Sequence, residues 1–231
     1  MNSIKRTARF AGFLYLLVFL LGIFGELFIR QGLFLPEEAG MTASNLMASE
    51  SLFRLSLVTD LVRQAVLVLL PLILYKILKP VSKDLAVLMV VFALVTVPIA
   101  MISLLFQFAA LLPQSGAGYL NAFSTEQLHA QMMYFFELNQ YGVFIAQFFG
   151  FWVSLLGFLV FKSGFLPRLI GILLIIAGLG YLVDALLFLL FPGLNVTISL
   201  FTFWGEAVFA LWMLIMGVNA DQWELREKES A

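Results

Sequence analysis

LAVLMVVFALVTVPIAMISLLFQFAALL, running from Leu85 to Leu112, contains no ionisable side chain. About 20 consecutive apolar residues carry a helix across the hydrocarbon core of a bilayer, and this stretch is longer than that. A helix that is apolar on every side must be enclosed by protein or by lipid. Working outward, comparable stretches lie at Phe10–Ile29, Phe53–Ile77, Met132–Phe161, Leu166–Phe191 and Ile198–Val218. Pro71 and Pro98 fall inside spans, where a kink is tolerated if neighbours satisfy the freed carbonyl. The reading is an all-α polytopic membrane protein: a bundle of six transmembrane helices forming one integral domain over residues 1–231.

Composition supports lipid as the solvent. The chain is 62% hydrophobic and 12% charged, whereas soluble domains are about half apolar and a quarter charged. A mean hydropathy of +1.03 leaves too little polar surface for water. The net charge of -1, with no basic stripe, excludes nucleic acid as a partner. Cysteine is absent, which removes disulfides, zinc–thiolate sites and iron–sulfur clusters. His129 is the single histidine, so bis-imidazole haem and multi-histidine metal sites are excluded by counting. No cofactor and no resident metal is expected, although carboxylates and carbonyls suit a hard cation.

Lys5, Arg6 and Arg9 ahead of Phe10–Leu21 resemble a secretory signal. The apolar run continues to Ile29, however, and no small-x-small site lies near Glu26 or Arg30. It reads as a retained first helix. Loop charges then orient the chain. With a cytoplasmic N-terminus, the inner side holds Lys5, Arg6, Arg9, Lys76, Lys79, Lys83, Lys162, Arg168, Arg226 and Lys228. Only Arg30 and Arg54 fall outside, and Arg63 lies within the membrane. Both termini are expected in the cytoplasm and the chain in the plasma membrane. Between the first two spans, Thr42, Ser44 and Asn45 are cap candidates. Leu46, Met47, Leu52 and Phe53 follow at near-helical spacing. They predict a helix on the outer surface leading into the second span. His129 is expected in an outer loop, Glu37–Glu38 in a turn after Pro36, and the tail after Asn219 is too short to fold alone.

Charges inside the spans are the functional lead. Glu26, Asp60, Arg63, Glu137, Asp184 and Glu206 interrupt apolar stretches, and one charge at a helix centre costs about 3 kcal/mol on insertion scales. Counting about 1.5 Å per residue from the span ends, all of them lie in the outer half. Asp60, Arg63 and Gln64 share one helical face, as do Tyr134, Glu137 and Tyr141, and Tyr181 and Asp184. With Arg30 and Arg54 included, outer acids outnumber arginines. At least one acid should hold a proton, bind a cation or meet a cationic ligand. The bland alternative is polar glue between helices. Gly150, Ser154 and Gly157, and Gly171, Gly178 and Gly180, read as close helix packing rather than a binding site.

No nucleophile elbow, zinc-protease signature or phosphate loop is present. The expected function is a pocket in the outer half that handles a small molecule or ion, transporter-like, lined by Glu26, Asp60, Arg63, Glu137, Asp184 and Glu206. A homo-oligomer would supply what a six-helix chain without an inverted repeat lacks. An intramembrane enzyme acting on a lipid-type ligand through carboxylates, or a non-catalytic assembly or sensing protein, stays open.

Several segments together resemble an uncharacterised bacterial membrane family, domain of unknown function 4386. They are ARFAGFLYLLVFLLGIFGELFIR (Ala8–Arg30), TASNLMASESLFRLSLVTDLV (Thr42–Val62), LYKILKPVSKDLAVL (Leu74–Leu88), GFLVFKSGFLPRLIGILLIIAGLGYLVDALL (Gly157–Leu187) and GEAVFALWMLIMGV (Gly205–Val218). The resemblance covers nearly the whole chain and implies a multi-pass membrane protein. It implies no activity and no site residue.

Overall fold

The computed structural model describes residues 3–25, 32–35, 38–191, 193–194 and 196–230. Among them every regular element is helical. The helices are α1 (Ser3–Ile23), α2 (Ala39–Ala48), α3 (Glu50–Leu78), α4 (Lys83–Ala109), α5 (Thr125–Ala146), α6 (Gly150–Ser163), α7 (Arg168–Leu190), α8 (Ser199–Thr202), α9 (Trp204–Ile215) and α10 (Ala220–Glu229). Five stretches are long and apolar enough to cross a membrane, and the bent pair Ser199–Ile215 and Ala220–Glu229 brings the number to at most six. Leu20, Leu69, Leu105 and Leu189 each leave more than half their surface open. Apolar exposure on this scale is a liability in water and the normal condition of a helix in lipid. Glu26 and Arg30, and the Pro36–Glu37 part of the expected turn, lie outside the described residues.

Two compact units divide the chain. The first comprises Met1–Phe19, Ala65–Val97 and Phe144–Ala231; the second comprises Leu20–Gln64 and Pro98–Val143. In the first, Trp152, Leu70, Leu74, Leu156, Phe209 and Met213 form part of a continuous buried core. Its tightest seam joins α6 to α7. A Cβ on Gly157 would stand 2.7 Å from the Gly171 carbonyl oxygen, and one on Gly171 2.5 Å from the Phe161 nitrogen. Only glycine lets these backbones touch, as the small-residue spacing predicts. In the second unit Leu46, Phe53, Met132 and Phe136 make the core, with Phe53 edge-on to Phe136 at 5.8 Å between centroids.

Two elements depart from expectation for physical reasons. The fourth span is not one helix: a 3-10 turn at Gln147–Phe149 separates α5 from α6. Gly150, directly after it, is drawn against the Gly178 carbonyl oxygen, where no Cβ would fit. α5 also begins seven residues before Met132. Ser124 and Gln127 build a reciprocal capping box there, Ser124 N–H donating to Gln127 Oε1 at 2.8 Å and Gln127 N–H to Ser124 Oγ at 3.3 Å. His129 is therefore on a helix and half-buried, not in a loop. The C-terminal tail, expected to be too short to fold alone, forms a helix docked on the rest of the unit through Trp223 Nε1–H to the Ile77 carbonyl. Gly217, at φ +70°, ends the last span in the left-handed conformation. Asn219 Oδ1 then caps α10 by accepting from Gln222 N–H at 3.2 Å, and α10 runs 101° away from the preceding span.

Candidate functional site

In the first unit Glu206 is a buried acid whose hydrogen bonds come from side-chain hydroxyls. Gly205 sets its position: a Cβ there would come within 2.5 Å of the Leu173 carbonyl oxygen, so α9 begins pressed onto α7. The next residue, Glu206, is 4% exposed. Tyr15 of α1 donates its hydroxyl to Glu206 Oε2 at 2.5 Å, and Tyr181 of α7 donates to Oε1 at 2.7 Å. Both tyrosines are fixed by other rings. Tyr15 stacks on Trp152 at 5.9 Å and meets Phe209 edge-on at 5.6 Å. Phe149 lies edge-on to both Trp152 and Tyr181, at 5.2 and 5.6 Å. The carboxylate thus sits in an aromatic enclosure and accepts from two phenols.

Asp184, one helical turn beyond Tyr181, does something different. Its Oδ1 accepts from the Ile198 backbone N–H at 2.6 Å and its Oδ2 from the Ser199 N–H at 2.8 Å. These are donors at the start of the last span, which have no partner within their own helix. Asp184 caps that span from a neighbouring helix, and its negative charge lies at the positive end of the helix dipole. Charge-assisted bonds of this kind are about twice as strong as neutral ones.

The second unit holds Asp60, Arg63 and Glu137. Arg63 Nη2 lies 3.2 Å from Asp60 Oδ1, an i, i+3 pair on α3. A Cβ on Gly22 of α1 would stand 3.0 Å from Arg63 Nη1, so the guanidinium lies against bare backbone. Ser56, Asp60 and Gln64 repeat every fourth residue and are all buried. On α4, Ser103 and Gln107 are buried with the same spacing, and Gln107 Nε2 donates to Asn139 Oδ1 on α5 at 3.0 Å. Glu137 is exposed on α5, beside exposed Tyr134 and Tyr141.

Of the residues singled out from sequence, Asp60 is thus joined to Arg63, Asp184 to a helix start, and Glu206 to two tyrosines. Glu26 falls outside the described residues. Sequence reasoning missed Tyr15, because a tyrosine in an apolar helix looks like any aromatic core residue. It also missed Ser56, Ser103 and Gln107, although polar residues every fourth position on a greasy helix are a readable signal. Among the described residues no three Asp, Glu or His side chains converge on a metal-sized site.

Comparison with known proteins gives the chain a family rather than an activity. An uncharacterized protein of Archaeoglobus fulgidus is 35% identical over 146 residues, covering 62% of this chain and 72% of the relative. No solved structure matches. The family model described as a domain of unknown function, DUF4386, matches residues 10–217. The chain therefore belongs to the DUF4386 family of helical membrane proteins.

Proposed function

We propose that this protein handles a small molecule or ion in a transporter-like manner, with Glu206 as the group that exchanges a proton or small cation. The observation behind the proposal is the kind of partner that Glu206 has. A buried carboxylate normally takes a cation or several N–H donors, because leaving its charge unmet is costly. Glu206 has two phenolic hydroxyls. A hydroxyl donates or accepts equally well by rotating its hydrogen. Ionised Glu206 receives two hydrogen bonds; protonated Glu206 donates one and receives the other. In each state Glu206 keeps two hydrogen bonds without moving a heavy atom, which suits a group that must change charge inside a membrane.

Asp184 lacks this freedom, since backbone N–H groups only donate. That also weakens the reading of the pair as an acid–base enzyme, in which both carboxylates exchange protons. We further propose a plasma-membrane location with both termini cytoplasmic. Cysteines placed at Ser82 and Gln114 would then label from opposite sides of intact cells, Gln114 from outside.

The deciding experiment uses protein reconstituted into liposomes on a solid-supported membrane, stepped in pH. Wild type gives a transient charge displacement, and Glu206→Gln gives none. Equal transients from both would remove Glu206 from the proposal.

A further inference from the structure

A proton and a metal cation make different demands on the oxygens around Glu206, and the spacing of those oxygens separates them. The Tyr15 hydroxyl oxygen lies 2.5 Å from Oε2 and that of Tyr181 2.7 Å from Oε1. Oxygens about 2.5–2.7 Å apart share a hydrogen in a charge-assisted bond. They do not share a metal ion. Mg²⁺ holds its ligands at about 2.0–2.1 Å in an octahedron, which sets neighbouring oxygens about 2.9 Å apart, and Ca²⁺ at about 2.3–2.6 Å sets them wider. Sodium and potassium ions are larger than Mg²⁺ and need still more room. A metal ion held between a phenol and the carboxyl would therefore have to push a tyrosine outward.

The surrounding packing opposes that movement. Tyr15, Trp152 and Phe209 are all buried, and Tyr15 is in ring contact with the other two. Phe149 meets both Trp152 and Tyr181 edge-on. Forcing extra volume into a close-packed core is destabilising. The ligand count points the same way. Ca²⁺ takes about 6–8 oxygens and Mg²⁺ an octahedral set, whereas the carboxyl and its two phenols bring four, and the hydrocarbon rings beside them bring none. The titratable groups that face Glu206 are Tyr15 from α1 and Tyr181 from α7. Asp184, one turn beyond Tyr181, is closed by the Ile198 and Ser199 N–H groups, and α6 contributes Trp152, which does not titrate.

We propose that the particle exchanged at Glu206 is the proton, and that alkali and divalent cations do not enter its site. The inference rests on the reading of Glu206 as the exchanging group and narrows it. In the step itself a hydronium ion gives its proton to one carboxyl oxygen and becomes water. The carboxyl goes from one negative charge to none, and only hydrogen bonds rearrange around it.

The test uses the full chain in liposomes on a solid-supported membrane, stepped in two ways. One step changes pH at constant sodium, potassium and magnesium. The other changes each of those cations at constant pH, with N-methylglucamine holding the ionic strength. The pH step should give a transient that Glu206→Gln loses, and the cation steps should give none above that of empty liposomes. Infrared difference spectra of the reconstituted protein provide a second readout. Acidification should raise the C=O band of a protonated carboxyl, and adding any of the three cations at fixed pH should leave that band unchanged. This readout needs wild type alone, so it decides even where Glu206→Gln fails to fold. A transient on a cation step that Glu206→Gln abolishes, or loss of the carboxyl band on adding a cation, would overturn the inference and leave Glu206 as the exchange site. No transient on either step, with no carboxyl band on acidification, would overturn the proposed function as well.

Discussion

Asp184 and Glu206 belong to the same unit, and both are buried with both carboxylate oxygens engaged. They differ in what engages them. Asp184 is held by two backbone N–H groups, which can only donate. Glu206 is held by two hydroxyls, which can reverse. The first arrangement offers the carboxyl group nothing but donors, and its natural role is to begin a helix. The second tolerates either protonation state, and its natural role is to change. Burial and charge alone do not separate a structural acid from a functional one; the reversibility of the donors does. Asp60 is a third case, answered by the fixed cation of Arg63.

The largest effect should come from that fixed pair. Arg63→Leu removes the guanidinium 3.2 Å from Asp60, which is 4% exposed, and taking the cation from a buried acid in this way costs up to about 3–5 kcal/mol. Removing both charges with Asp60→Leu/Arg63→Leu should recover most of the loss in chemical denaturation of the detergent-solubilised protein. If the double variant is as unstable as the single one, Asp60 has another essential partner.

Asp184→Asn comes next. The new amide group can accept one of the two backbone hydrogens, but it aims its own N–H at the other. A donor facing a donor in a buried site costs about 1–3 kcal/mol, and the lost charge at the helix start adds to it. Thermal unfolding should report a clear drop. A neutral outcome would mean that the last span begins without help from Asp184, and the contrast with Glu206 would collapse.

How much of this could be read from the sequence depends on range. Apolar length is a local property, so the spans were legible, as were the glycine seam of α6 and α7 and the i, i+3 pairing of Asp60 with Arg63. Ser124 and Gln127, a short-range signature three residues apart, were legible too, and would have placed the start of α5 correctly. The partners of Glu206 were not legible. Tyr15 is 191 positions away, and nothing in its neighbourhood marks it as polar in role. Asp184 looked as functional as Glu206, because a cap donated from another helix has no pattern along the chain.

Glu206→Gln should cost less than Asp184→Asn although it makes the same chemical change. The amide oxygen accepts from one tyrosine, and the other turns its hydroxyl to accept from the amide hydrogen. Stability should fall by less than about 1 kcal/mol, within the ordinary worth of one neutral hydrogen bond, while charge displacement disappears. A loss equal to that of Asp184→Asn would show that the tyrosines cannot reverse, and the proposed exchange would lose its physical basis.

Single effects of about the same size should come from the tyrosines themselves, and they probe reversibility from the other side. Tyr181→Phe removes the 2.7 Å bond to Oε1 but leaves Tyr15 on Oε2 and fills nearly the same volume. The expected cost is about 0.5–1.5 kcal/mol, the net value of one hydrogen bond. Tyr15→Phe should cost a similar amount. The pair is where the sites part company. With both hydroxyls gone, the carboxyl loses both phenol donors and must stay buried against phenyl rings, so the double variant should lose more than the two singles combined. Non-additivity is the mark of groups that share one partner. In a cycle measured by thermal unfolding, a strictly additive double variant would mean that Glu206 finds another donor when its tyrosines are removed. The two hydroxyls would then be accessories to the site rather than its working parts.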